Sequence, residues 1–335
     1  AMMVAKLRDS KEELSACHQA FPVRALLDRL VSAPPEVQPW AGYLPARLRP
    51  AGTPPGGYHG PHLHSKDSPL SQDSQHTPPW DSSVLSGEPV TGHVWRLSQD
   101  ASGCRKVQHA LEMANGDEER EALASELQGH IAEAVRCPHA NHVIQKLVVT
   151  MRPQSLQFII DELMASGGGA QAARHKFACR IVQRLLEHCP PAQVAKVAEA
   201  VLSEAASISR HPYGNYVMQH LLEFGTSEQK HHLVQVLKQD VRGMGSDSYA
   251  CAVVSSALCH SDQADQVTLA RRLLKEPGLL SFMACTRHGH QAVTHALQVF
   301  EGEELLEARR QLALEATALC SSRYGRLVSA FLDSN

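Results

Sequence analysis

The sequence predicts an all-α chain organised as a helical solenoid, and three observations lead there. The 335 residues are 43% hydrophobic but only 5% aromatic, with Ala, Leu and Val dominating the apolar set; that mixture favours helices over a β-sandwich. A six-residue string recurs every 36–39 residues from about Thr91 to the end of the chain. Between the strings, apolar positions follow helical spacing with Gly, Pro or Asp at the joints, as in stacked helical repeats whose units bury their apolar faces only against each other.

Residues 1–33 come first. Val23-Arg-Ala-Leu-Leu-Asp-Arg-Leu-Val has helical spacing, and a helix that short needs a docking surface to persist. Residues 34–90 follow, and 12 of the 56 positions from Pro34 to Pro89 are proline. Proline without a donor and glycine with its entropy cost rule out regular structure, so a flexible linker is expected. The repeats occupy 91–335.

The best-kept strings are Gly103-Cys-Arg-Lys-Val-Gln, Ala140-Asn-His-Val-Ile-Gln, Ala178-Cys-Arg-Ile-Val-Gln and Gly214-Asn-Tyr-Val-Met-Gln. Three more divergent copies begin at Ala250, Gly289 and Gly325. Each unit is expected to hold two or three helices, with Ser166-Gly-Gly-Gly an insertion in an inter-helix loop. Gly92-His93 and Gly129-His130 each stand 11 residues before the second residue of a string.

Placed on a helix, positions i and i+4 share a face. Cys104 then stands with Gln108, Asn141 with Gln145, Cys179 with Gln183 and Asn215 with Gln219. The residue between is flat: Arg105, His142, Arg180 or Tyr216. Val107, Val143 and Val217 face neighbouring helices. A row of short polar pairs separated by planar side chains fits a nucleobase, which has one polar edge and two π faces.

These strings resemble the repeats of the Pumilio (PUF) family, most closely in Cys179-Arg-Ile-Val-Gln-Arg-Leu-Leu-Glu-His-Cys and Tyr213-Gly-Asn-Tyr-Val-Met-Gln-His-Leu-Leu-Glu. The resemblance implies a right-handed, crescent-shaped solenoid of PUF repeats over about 91–335, with a C-terminal cap at about 316–335. It implies single-stranded RNA bound antiparallel to the chain, one base per unit, with Asn and Gln reading uracil and Cys and Gln reading adenine. The four intact units would then read 5′-UAUA-3′, with Arg105, His142, Arg180 and Tyr216 as stacking plates. Further RNA contacts are expected from Cys251, Ser255, His290, Gln291, Lys146 and Arg184. Ala252 cannot stack, and Ser255 and Thr294 are too short to replace Glu or Gln, so the units at Cys251 and His290 are expected to be silent or altered. The resemblance also implies a cytoplasmic monomer acting on 3′ untranslated regions of mRNA, with a protein corepressor on the convex face. A nuclear or nucleolar RNA binder of little sequence preference, serving ribosome maturation, and a protein-interaction scaffold on a degenerate array are the alternatives.

Charge agrees with a local rather than a bulk mode of binding. The formal net charge is −3, whereas domains that hold polyanions by bulk charge are strongly basic. Four stacked bases supply roughly 4–12 kcal/mol gross, and association costs of similar size oppose it, which places the expected affinity near micromolar. The nine cysteines include no CxxC pair, which fits reduced thiols inside a cell. No nucleophile with a recurring His/Asp partner and no phosphate-cradling GxxxxGK[ST] motif is present, so neither an enzyme nor a cofactor is expected; no metal site is expected at His59, His62 and His64. The opening Ala-Met-Met leaves room for a longer natural chain, and no secretory signal or membrane span is expected.

Overall fold

The computed structural model describes residues 89–334, so the expected 1–33 segment and nearly all of the 34–90 linker lie outside it. Among the described residues there are twenty α-helices and no strand. They repeat a three-helix unit: a short helix, a longer motif helix carrying the recurring string, and a third amphipathic helix.

The first unit is α1 (Val94–Ser98), α2 (Ala101–Met113) and α3 (Asp117–Ser125). The second is α4 (Ile131–Ala134), α5 (Ala140–Thr150) and α6 (Gln157–Ala165), and the third α7 (Gly168–Arg174), α8 (Ala178–His188) and α9 (Ala195–Leu202). Next come α10 (Ala205–Ser209), α11 (Gly214–Phe224) and α12 (Ser227–Gln239), then α13 (Val241–Ser246), α14 (Ala250–His260) and α15 (Gln263–Leu274). The sixth unit is α16 (Leu279–Ala284), α17 (Gly289–Val299) and α18 (Gly302–Leu314). The expected cap proves to be α19 (Ala316–Ser321) and α20 (Arg323–Ser334), the first two helices of a seventh unit.

The motif helices α2, α5, α8, α11, α14, α17 and α20 pack in sequence, each on the next, as one continuous layer. Helices α9, α12, α15 and α18 likewise stack on each other. The layers form because each motif helix is apolar on the same stripe: Val143, Ile144, Leu147 and Val148 in α5 and Val217, Met218, Leu221 and Leu222 in α11 are all buried. That stripe is the spacing of a helix pressed onto a core along one side. One contiguous core results, running from Val94 to Leu332.

The small residue that opens each string has a steric cause. At Gly325 an added Cβ would lie 2.4 Å from the Leu319 carbonyl oxygen, and at Gly103 only 2.2 Å from that of Leu97. Each motif helix thus starts in near contact with the end of its own short helix.

The triple glycine differs from expectation. Gly167 and Gly168 take positive φ (122° and 79°) and turn the chain, but Gly168 and Gly169 already belong to α7. Gly169 sits so close to Val197 that a Cβ would come within 2.8 Å of the Val197 carbonyl oxygen. The glycines therefore let α7 dock on α9, a contact beyond the reach of periodicity.

Carboxylates tie elements together both within units and between them. Glu126 accepts from the backbone N–H groups of Gly92 and Val94 (2.6 and 2.9 Å), and Glu162 from those of Gly129 and Ile131 (2.7 and 3.1 Å). The recurring Gly-His pair is therefore the seat of a clamp within one unit, where the end of the third helix holds the start of the short helix. Arg174 pairs with Glu204 at 2.7 Å and Arg210 with Asp240 at 2.6 Å, and these ion pairs do cross one unit boundary each.

Candidate nucleic-acid interface

The seven motif helices begin the same way, by a means that letter-by-letter comparison misses. Four residues ahead of position i stand Asp100, Cys137, His175, His211, Asp247, Thr286 and Ser322. Each accepts one or two hydrogen bonds from the first free N–H groups of its helix. Asp247 Oδ1 takes those of Tyr249 and Ala250 at 2.9 and 2.8 Å. His211 Nδ1 takes those of Tyr213 and Gly214 at 3.2 and 3.3 Å, and His175 does the same for Phe177 and Ala178. Ser322 Oγ, Thr286 Oγ1, Asp100 Oδ1 and the Cys137 sulfur complete the series. Helix starts leave such donors unpaired unless a side chain supplies an acceptor. The usable signal was acceptor chemistry at one spacing, hidden under five residue types.

Held by these caps, the predicted pairs come together. Gln145 Nε2 donates to Asn141 Oδ1 at 2.9 Å, and Gln219 Nε2 to Asn215 Oδ1 at 3.0 Å. Asn141 is only 1% exposed and Asn215 3%. Their Nδ2 groups donate to the carbonyl oxygens of Cys137 and Pro138, and of His211 and Pro212, at 2.8–3.0 Å. Each asparagine is thus a fixed mount, and the glutamine carries the more exposed edge. On α11 that edge is pinned further, since Ser256 Oγ donates to Gln219 Oε1 at 3.4 Å from the next unit.

The cysteine units are built differently. The thiols of Cys104 and Cys179 turn back onto the carbonyls of Ala101 and Lys176 (3.4 and 3.5 Å). Burial pushes the Cys179 thiol up to about 11 and raises that of Cys104 as well, so both stay protonated at neutral pH. Gln108 Nε2 donates to the Cys104 carbonyl at 3.1 Å. Gln183 is 4% exposed, its Oε1 accepts from Arg180 at 3.3 Å, and its buried Nε2 has no partner.

Of the plates, Arg105, His142 and Arg180 are exposed and Tyr216 half-buried. The Arg180 guanidinium lies 5.3 Å from the Tyr216 ring centroid, a cation–π contact. Partial desolvation against the neighbouring helices first, and then His139, lowers the His142 imidazole below its ordinary value, which favours a neutral ring at pH 7. The two flanking cations are engaged: Lys146 pairs with Glu112, and Arg184 with Glu187 at 2.6 Å.

The units at Cys251 and His290 lack the amide pair. Cys251 and Ser255 are both buried, and desolvation pushes the Cys251 thiol up to about 12. Thr294 Oγ1 donates to the His290 carbonyl, bonding within its own helix at 2.9 Å. His290 instead stacks on Tyr324 with centroids 5.1 Å apart, and Gln291 is half-buried beside it.

The Pumilio-family RNA binding repeat matches residues 93–128, 130–164, 171–202 and 205–238, which are the four units carrying the Gln rows. These four units are Pumilio-family repeats. Pumilio homolog 12 of Arabidopsis thaliana is 23% identical over 243 residues, 72% of this chain and 40% of that protein. A Pumilio domain-containing protein of Schizosaccharomyces pombe is 22% identical over 183 residues, 55% of this chain and 27% of its own length. This chain thus spans well under half of those relatives. Among solved structures, PUF-8 in complex with PBE-RNA superposes with a TM-score of 0.65 at 22% identity, covering 73% of this chain and 72% of that one. The Puf4 RNA binding domain bound to an HO endonuclease RNA 3′ UTR recognition sequence gives 0.62 at 20%, covering 72% and 77%. At these identities the structural match establishes the helical solenoid of Pumilio repeats as the fold.

Proposed function

We propose that the four Pumilio repeats bearing Gln108, Gln145, Gln183 and Gln219 bind single-stranded RNA, one base per unit, with the core 5′-UAUA-3′. The supporting observation is the side-by-side packing of α2, α5, α8 and α11, each with Cys or Asn at i, a planar side chain at i+1 and Gln at i+4. A buried amide nitrogen without a partner at Gln183 adds to it, because such a group is costly unless a ligand completes it. The solved neighbours named above carry RNA, and this chain repeats their fold.

In this proposal Asn141 and Asn215 orient Gln145 and Gln219 toward uracil, while the small Cys104 and Cys179 leave room for adenine beside Gln108 and Gln183. Bases stack on Arg105, His142, Arg180 and Tyr216. Arg180 must leave Tyr216 to admit a base, since a base adds about 3.4 Å of stacking on each face and the two plates are 5.3 Å apart. The RNA would be mRNA, bound in 3′ untranslated regions by a cytoplasmic monomer that controls translation or decay with a protein corepressor on the outer face.

Fluorescence anisotropy of the full chain at fixed salt tests this, with UAUA against a scrambled core in otherwise equal RNAs. A preference of about tenfold or more for UAUA is expected, abolished in large part by Gln183→Ala. Equal binding to both RNAs would replace it with sequence-independent contact, and no binding to either would leave a protein scaffold.

A further inference from the structure

At the junction of the second and third units the surface opens into a cleft of about 230 Å3, bounded by the ends of α4 and α6 and by residues along α7. Gly167 and Gly168, with positive φ, turn the chain there, so the cleft sits at the triple-glycine insertion. Val135, Leu163, Ala172 and Ala178 line it, are buried, and make an aliphatic floor. Arg136, Arg174 and His175 line it as well. None of the residues at i, i+1 or i+4 of the motif helices takes part.

The polar groups around that floor are mostly donors. Arg136 Nη2 donates to the Ser166 carbonyl at 3.0 Å and to Gln171 Oε1 at 3.3 Å. Both acceptors are neutral, so these bonds leave the charge of an exposed guanidinium unbalanced. The one carboxylate that pairs with a residue of the cleft, among the described residues, is Glu204, on Arg174 at 2.7 Å. His175 Nδ1 accepts the two N–H groups that open α8, which puts the imidazole proton on Nε2 as a donor. Burial first, and then Arg136, lowers that imidazole below its ordinary value, in keeping with a positive group close by. Guanidinium and imidazole N–H groups beside an aliphatic floor suit a guest with an apolar body and a purely accepting anionic group.

We propose that this cleft docks an acidic segment of a partner protein, seating one large apolar side chain on the floor and a flanking carboxylate against Arg136 and His175. Size selects the guest. Sites for whole small-molecule ligands run to about 300–1,000 Å3, whereas 230 Å3 suits a single anchoring side chain of the kind that dominates peptide and protein docking. Charge selects the flanks, because a guanidinium fork matches a carboxylate in shape and sign. A protein segment is favoured over RNA because the floor is aliphatic and none of the stacking plates reaches it. The site stands apart from base reading, and neither depends on the other.

Fluorescence anisotropy with the full chain at fixed salt tests the proposal on short labelled peptides. One has a central phenylalanine flanked by glutamates, one has glycine at the centre, and one has glutamines in place of the glutamates. The acidic phenylalanine peptide should bind about tenfold or more tighter than either control. Arg136→Gln should remove most of its advantage over the glutamine peptide, with the thermal midpoint and UAUA affinity unchanged because that side chain is exposed. Ala172→Met, which fills the floor, should bring the phenylalanine peptide down to the level of the glycine peptide, with circular dichroism confirming an intact fold. Equal binding of the three peptides, binding of none, or an unchanged preference in Arg136→Gln would overturn the site. Saturating UAUA RNA should leave peptide affinity within about twofold; displacement of the peptide by that RNA would assign the cleft to RNA and overturn the proposal. Loss of UAUA preference with peptide binding intact would overturn base reading and leave the cleft standing.

Discussion

Gln183 shows at a single residue how binding and stability pull apart. Its buried Nε2 has no partner, so the native state carries an unmet donor, a cost of about 1–3 kcal/mol. Gln183→Leu should therefore raise the thermal midpoint while weakening UAUA binding about tenfold or more, read by calorimetry and anisotropy on the same preparation. A residue kept only for packing would lose on both measures. Sequence alone placed Gln183 on the same face as Cys179, since helical periodicity settles that much. It could not tell that Asn141 and Asn215 are almost wholly enclosed and occupied by backbone carbonyls. That assignment depends on the turn preceding the helix folding back over the asparagine, a contact with no periodic signature.

At the level of the helix, the caps govern stability. Asp247→Ala removes the acceptor for two N–H groups of α14 and should cost about 0.5–2 kcal/mol, measured by urea unfolding. Helices α8 and α11 are capped by His175 and His211 through Nδ1, which must be unprotonated to accept. Burial lowers both imidazoles below their ordinary value, with Arg136 and Arg174 adding to it. Burial brings His220 down to about 4. A depressed histidine means the unfolded chain takes up protons first, so this stabilisation is complete above about pH 6.5 and drains away as pH falls toward the folded values. The urea midpoint should drop between pH 7 and pH 5, and His220→Gln should flatten the drop. The seven caps escaped sequence analysis because Asp, Cys, His, Thr and Ser share an acceptor and not a letter. The short helices of four to seven residues escaped it for want of length, whereas the motif helices, with a full apolar stripe, were legible throughout.

For the whole array the governing fact is that each unit meets only its neighbours. Energies in such a stack add except between adjacent units. Gln108→Ala and Gln219→Ala lie three units apart, and the double variant should lose the product of the two single losses in affinity, within about twofold. Gln183→Ala with Gln219→Ala should deviate, because Arg180 joins those two units by touching both Gln183 and Tyr216.

The carboxylate clamps of Glu126 and Glu162 have a mechanical counterpart. Each closes one unit, the first and the second, by holding the start of its short helix to the end of its third helix through two backbone hydrogen bonds. Stretched between its ends, the array should yield unit by unit, with the two clamped units the last to open. Glu162→Gln should move the last, highest-force rip to lower force in an optical trap.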